Sequence, residues 1–232
     1  MEKYVTICLK AWHKAIHNWL EKESLAGMMP IHIAAWSGNN KVFRFIAAYV
    51  ENPNPKKCDG FTPLHLAAKF GDTKIIKFLV SKVQNINDIR PNGWTPINLA
   101  ARYGNTEIFK LLAAKVDFNA VNPLDGYVPI HYAARFGYTE IFKYLTSKLE
   151  NPNPAKQDGW TPMHLAAQFG HIEIIKILGS ILENPNAPKP DGWTPLQVAI
   201  HNNMIEAGTT ILEIISKKVK SNPQEILNTL RK

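Results

Sequence analysis

Cysteine is scarce: Cys8 and Cys58 are the only two in 232 residues. Two thiols build neither a disulfide scaffold nor a cysteine-rich zinc module. Long apolar runs are missing too, and the longest uncharged stretches fall far short of the roughly 20 residues that span a bilayer. The N-terminal MEKYVTICLKAWHK scatters charge among apolar residues and lacks the hydrophobic region of a secretory signal. No Asn-x-Ser/Thr glycosylation site occurs. These absences point to an intracellular protein, cytoplasmic or nuclear, or to an intracellular piece of one. Lys217-Lys218-Val219-Lys220 resembles a short import signal, although such runs recur by chance. Acidic residues are outnumbered, 19 against 27 Lys and Arg, for a net charge of +8. That excess suits acidic partners without identifying one.

Catalytic signatures are absent as well. No Gly-rich phosphate loop follows a strand pattern, and neither Gly-x-Ser-x-Gly nor His-Glu-x-x-His occurs. His13 and His17 are spaced to share a metal but have no third ligand of obvious type nearby, so they read as surface histidines. No oriented base accompanies either thiol. The chain is therefore expected to be no enzyme, with no catalytic residues, no cofactor and no metal.

What the chain does contain is a ruler of 33 residues. Asp59-Gly60 returns as Asn92-Gly93, Asp125-Gly126, Asp158-Gly159 and Asp191-Gly192. Pro30, Pro63, Pro96, Pro129, Pro162 and Pro195 keep the same step, as do the Ala-Ala pairs starting at Ala34, Ala67, Ala100, Ala133 and Ala166. Asp-Gly is a turn signal, because Gly accepts positive φ and Asp bonds its own backbone. Thr-Pro then starts a helix, Thr as cap and Pro at the first helical position. A Gly such as Gly71 stops it in the left-handed conformation. A second helix follows with an apolar stripe: Ile75, Ile76, Phe78, Leu79, repeated as Ile108, Phe109, Leu111, Leu112, then Ile141, Phe142, Tyr144, Leu145, then Ile174, Ile175, Ile177, Leu178. Asn-Pro-Asn loops close units at 52–54, 151–153 and 184–186. Neither helix buries its face alone, so stacked neighbours make the core.

The segments TPLHLAAKFGDTKIIKFL and TPMHLAAQFGHIEIIKIL resemble the ankyrin-repeat signature closely, and the pattern spans residues 28 to 222. The resemblance implies an all-α ankyrin-repeat solenoid of stacked helix-turn-helix pairs with projecting hairpin or loop fingers. Residues 1–27 are expected to form a helical cap or partial repeat, with Trp12, Ala15, Ile16, Trp19 and Leu20 on one helical face over 3–22. Repeats follow at 28–58, 59–91, 92–124, 125–157 and 158–190, then a divergent sixth repeat with a C-terminal cap at 191–232. In the sixth, Asn202-Asn203 stands where Gly is expected, which predicts a second helix pushed downstream to about 210–218 and a short helix over 224–230. The recurrent His32, His65, His131 and His164, replaced by Asn98 and Gln197 elsewhere, look like structural residues tying adjacent turns.

In this family partners usually bind a concave groove lined by the fingers and the first helices. Three columns are expected there. The first reads Met28, Phe61, Trp94, Tyr127, Trp160, Trp193, five aromatics in six repeats. Its rings either stack from finger to finger or anchor a ligand, as Trp and Tyr do at binding hot spots. The second reads Trp36, Lys69, Arg102, Arg135, Gln168, His201, and Lys69, Arg102 and Arg135 would orient an acidic segment. The third includes Phe70, Tyr103, Phe136 and Phe169, aromatics suited either to sealing the inter-helix core or to gripping the partner. A further basic column on the second helices, Arg44, Lys77, Lys110, Lys143 and Lys176, is partly offset by Glu107, Glu140 and Glu173 and reads as a solvated outer face. The expectation is a monomeric, non-enzymatic protein–protein interaction scaffold away from the membrane. The competing readings are nucleic-acid binding, weakened because the basic residues form no single stripe, a methyl-lysine reader built on aromatics, and a structural spacer array.

Overall fold

The computed structural model describes residues 27–119 and 121–219. The helix expected over 3–22 (with Cys8, His13 and His17) and the one expected over 224–230 lie outside the described residues. Among the described residues there are twelve helices and no strand. They come in pairs: α1 (Pro30–Trp36) with α2 (Asn40–Ala47), α3 (Pro63–Phe70) with α4 (Thr73–Lys82), α5 (Pro96–Arg102) with α6 (Thr106–Ala113), α7 (Pro129–Phe136) with α8 (Thr139–Thr146), α9 (Pro162–Phe169) with α10 (Ile172–Ile181), and α11 (Pro195–His201) with α12 (Ile205–Val219).

Every first helix starts at the proline of the ruler. Thr62, Thr95, Thr161 and Thr194 cap four of them, each hydroxyl accepting the N–H three residues on. In the first five repeats the ruler Gly just after the first helix is left-handed, as at Gly71 (φ 87°). The second helices bury the expected stripe: Ile75, Ile76 and Leu79 in α4, Ile108, Phe109 and Leu112 in α6, Ile141, Phe142 and Leu145 in α8, Ile174, Ile175 and Leu178 in α10. The Ala-Ala pairs are buried too. A larger side chain there would force neighbouring helices apart, at about 1–3 kcal/mol.

The chain forms two compact units, one ending at Phe118 and one starting at Asn119. In the first, α1, α3 and α5 pack in one row and α2, α4 and α6 in another. In the second, α7, α9 and α11 form one row and α8, α10 and α12 the other.

The sixth repeat corrects one expectation. Its second helix is not displaced: α12 begins at Ile205, on the ruler set by Thr73, Thr106, Thr139 and Ile172. Asn203 adopts φ 57° at the place where the other repeats use Gly. Asn tolerates the left-handed region better than other non-Gly residues, because its short amide bonds locally. The register survives the loss of the Gly, and the helix is simply longer.

The Asn-Pro-Asn loops also acquire a purpose. The first Asn accepts the N–H of the second through its side chain (2.9 Å from Asn54 to Asn52, and from Asn153 to Asn151). The second Asn accepts an N–H near the start of the first helix ten residues on: Asn54 from Leu64 at 2.9 Å, Asn153 from Met163 at 2.9 Å, Asn186 from Leu196 at 3.0 Å. The loop thus satisfies a donor that no helical carbonyl reaches.

Candidate binding surface

Each finger is a turn closed by its own backbone. Lys57 N–H donates to the Phe61 carbonyl at 2.8 Å, Arg90 to Trp94 at 3.0 Å, Lys156 to Trp160 at 2.9 Å and Lys189 to Trp193 at 2.8 Å. Pro123 occupies this position in the fourth finger and has no N–H, so Asn122 closes that turn onto Tyr127 at 2.8 Å. The Asp of each Asp-Gly accepts the N–H of the ring residue that follows, as Asp59 does from Phe61 at 3.1 Å and Asp125 from Tyr127 at 3.0 Å. The expected first column is therefore positioned by the Asp-Gly signal itself.

Its rings are engaged by cations from the following finger. Arg90 lies 3.6 Å from the Phe61 centroid, Lys156 4.5 Å from Tyr127 and Lys189 4.7 Å from Trp160. Lys57, Lys156 and Lys189 also pair with the Asp of their own finger at 3.1, 3.0 and 2.7 Å. The contact between successive fingers runs ring, cation, carboxylate. Sequence reading missed this basic column, Lys57, Arg90, Lys156 and Lys189, although it keeps the same step of 33. Tyr127 is buried at 6% exposure, and its hydroxyl accepts from Arg135 at 3.1 Å. Phe61, Trp94 and Trp160 are half-buried, with Arg102 5.2 Å from Trp94, while Trp193 is 39% exposed.

The third column does not seal the core. Phe70, Tyr103, Phe136 and Phe169 are all exposed, the least of them Phe136 at 37%. They stand just past the Ala-Ala pair, where the C-terminal end of the first helix turns to solvent. In the first unit Lys69 lies over both Phe70 (5.1 Å) and Tyr103 (5.5 Å), and Trp36 meets Phe70 edge-on at 6.5 Å. In the second unit Arg135 lies over both Phe136 (5.7 Å) and Phe169 (5.3 Å). Each unit thus carries an exposed strip in which one cation sits between two rings. A guanidinium or ammonium held this way keeps hydrogen-bond donors for a carboxylate.

The histidine column is structural. Nδ1 accepts a backbone N–H, from Met29 into His32 at 3.2 Å and from Val128 into His131 at 3.2 Å. Nε2–H then donates to the following finger: His32 to Pro55 (2.9 Å), His65 to Trp94 (3.3 Å), His131 to Pro154 (2.9 Å) and His164 to Trp193 (3.1 Å). Burial, opposed only in part by these bonds, lowers the pKa of His65, His131 and His164 to about 4 and lowers that of His32 too. Gln197 reproduces the first half of the arrangement, its Oε1 accepting from the Thr194 N–H at 2.9 Å. The shorter Asn98 leaves its Oδ1 buried without a hydrogen-bond partner among the described residues. On the second helices Glu140 pairs with Lys143 at 3.6 Å, whereas Glu107 reaches back to Lys77 of the preceding repeat at 2.9 Å.

A family model for ankyrin repeats matches residues 6–90, 31–122, 82–156 and 130–222. The chain belongs to the ankyrin-repeat family. Ankyrin repeats are in general protein–protein interaction modules, and the family is typically a non-enzymatic scaffold. No curated protein is detectably similar to this ankyrin chain. Among the described residues no helix is long and apolar enough to cross a membrane, and no group of three or more His, Cys, Asp or Glu is placed to hold a metal ion.

Proposed function

We propose that this ankyrin array is a non-enzymatic scaffold that captures a protein segment along the exposed cation–aromatic strips at the ends of its first helices. Lys69 with Phe70 and Tyr103 forms the strip of the first unit, and Arg135 with Phe136 and Phe169 that of the second. The observation that carries this reading is the exposure of all four third-column rings around cations already oriented by them. Aromatic side chains supply large contact area at low entropic cost. Lys69 and Arg135, at the strip centres, favour a segment with acidic side chains. Tyr127 steadies the second strip through its hydroxyl, which accepts from Arg135, and the rings of Phe61, Trp94, Tyr127 and Trp160 are already met by Arg90, Arg102, Lys156 and Lys189. An exposed free thiol at Cys58 fits a reducing, intracellular setting.

A photo-crosslinking residue tests this directly. Placed at Phe169 it should trap a discrete protein from lysate, and placed at Lys176 on the outer face it should not. Equal trapping at both positions would contradict the proposal.

A further inference from the structure

The sixth repeat departs from the rule that governs Phe61, Tyr127 and Trp160. Tyr127 and Trp160 each receive a lysine from the following finger, and Phe61 an arginine. Trp193 follows the last Asp-Gly of the sequence, and among the described residues no Lys or Arg lies over it. Among the described residues its ring neighbour is His201, edge-on at 5.1 Å. A second group in this repeat shows the same departure. His65 and His164 donate Nε2–H to the carbonyl of the following finger's ring residue. Gln197 holds that position here. Its Oε1 accepts from Thr194, and its amide nitrogen donates to no other described residue.

Both side chains line one hollow of about 440 Å³, completed by Asp191, Gly192, Ile200 and His201. All six belong to the sixth repeat. Ile200 stands where the five preceding repeats bury the second alanine of the pair, and it is exposed. The Asp191 carboxylate at the rim is kept ionised by its bond to Lys189 and by the Trp193 N–H, which hold its pKa below the usual range.

We propose that this hollow receives a lysine or arginine side chain of a partner protein. The cation lies on the face of Trp193 beside the Asp191 carboxylate, the aliphatic stem runs along Ile200, and a partner backbone carbonyl accepts from the Gln197 amide. The partner thereby does for the sixth repeat what each following finger does within a unit. A second copy of this chain stacked end to end is a poorer occupant, because the residue 33 positions before Lys57 is Ser24, which carries no cation. The inference goes beyond the strips of the proposed function and does not depend on them.

Fluorine NMR of the chain labelled with 5-fluorotryptophan gives the test, with the Trp193 signal assigned by Trp193→Phe. The probes are acetyl-Gly-Arg-Gly-amide and its citrulline counterpart, which has nearly the same shape without the charge. The arginine peptide should move the Trp193 signal saturably at about 1–10 mM, and the citrulline peptide should bind at least about tenfold more weakly. Gln197→Ala should weaken the arginine peptide by about three- to tenfold. No saturable movement, or equal movement by both peptides, overturns the proposal. If the wild type is unresponsive but Arg231→Ala/Lys232→Ala shifts the Trp193 signal and exposes the site to the peptide, the occupant is the chain's own C-terminal segment, and assignment to a partner is overturned.

Discussion

Acid should loosen this fold well before its carboxylates titrate, and the histidine column sets the size of the effect. His65, His131 and His164 are neutral in the folded chain, with Nδ1 accepting and Nε2–H donating, and their pKa is lowered to about 4 from the ordinary 6.5. An unfolded chain takes up protons on these rings as pH falls below 6.5, while the folded chain does not until about pH 4. Their contribution is therefore complete above pH 6.5 and is lost between pH 6.5 and 4. At pH 5 the loss is about 2 kcal/mol per histidine. The first unit contains His65 and the less shifted His32, and the second contains both His131 and His164, so the second should lose about 4 kcal/mol at pH 5. Asp59, Asp158, Asp191 and Glu107 have lowered pKa values through bonds to lysine or backbone N–H groups, and their contribution is lost only at still lower pH. The assay is urea unfolding followed by circular dichroism at pH 7.5, 6.5, 5.5 and 5.0. His131→Gln supplies the control, because Gln197 shows that glutamine can accept the capping N–H at this position. The variant should be less stable at pH 7.5 by about 1–2 kcal/mol, through loss of the bond to Pro154, yet should lose less stability than wild type on going to pH 5. Unchanged stability between pH 7.5 and 5.0, or the same pH dependence in wild type and His131→Gln, would refute the reasoning.

Three further outcomes follow from local geometry. Thr161→Ala removes the hydroxyl that caps α9 and should cost about 1 kcal/mol, read as a lower urea midpoint. Asn203→Val forces a β-branched residue into the left-handed region and should cost about 1–2 kcal/mol, whereas Asn203→Gly should be neutral or stabilising; equal destabilisation by both would mean that the φ at 203 is not what holds the sixth repeat in register. Phe136→Ser with Phe169→Ser changes only exposed rings and should leave stability within about 1 kcal/mol in the same urea assay, so that any loss of binding can be read as a loss of contact.

The repeat was legible because its parts are backbone devices. Pro at a helix start, a left-handed Gly at its end and Asp-Gly in a turn each perform one job wherever they occur, and six copies on one ruler reinforce each other. The histidine column was legible for the same reason: a residue replaced in other repeats by Asn98 and Gln197 keeps amide chemistry, which serves a hydrogen bond and not a ligand set. The sixth repeat departs from the expected register because Gly is not the sole residue able to end the first helix: Asn203 reaches the same conformation. The site was legible only in outline. Periodicity places Phe70, Tyr103, Phe136 and Phe169 at the end of a first helix, but whether they face the core or solvent depends on how much room the alanine pair leaves. Lys57, Arg90, Lys156 and Lys189 give no local signal, since a cation beside a turn is usually solvated. Their role depends on the ring of the preceding finger, a pairing across 29 residues that no local window displays.

The most direct test of the central claim is quantitative capture from lysate by the wild-type chain, by Phe136→Ser/Phe169→Ser and by Lys143→Ser/Lys176→Ser, compared by mass spectrometry. A protein should be enriched by the wild type and by the outer-face variant, and lost from the strip variant. Retention by the strip variant, with loss from the outer-face variant, would contradict it and move the binding surface to the second helices.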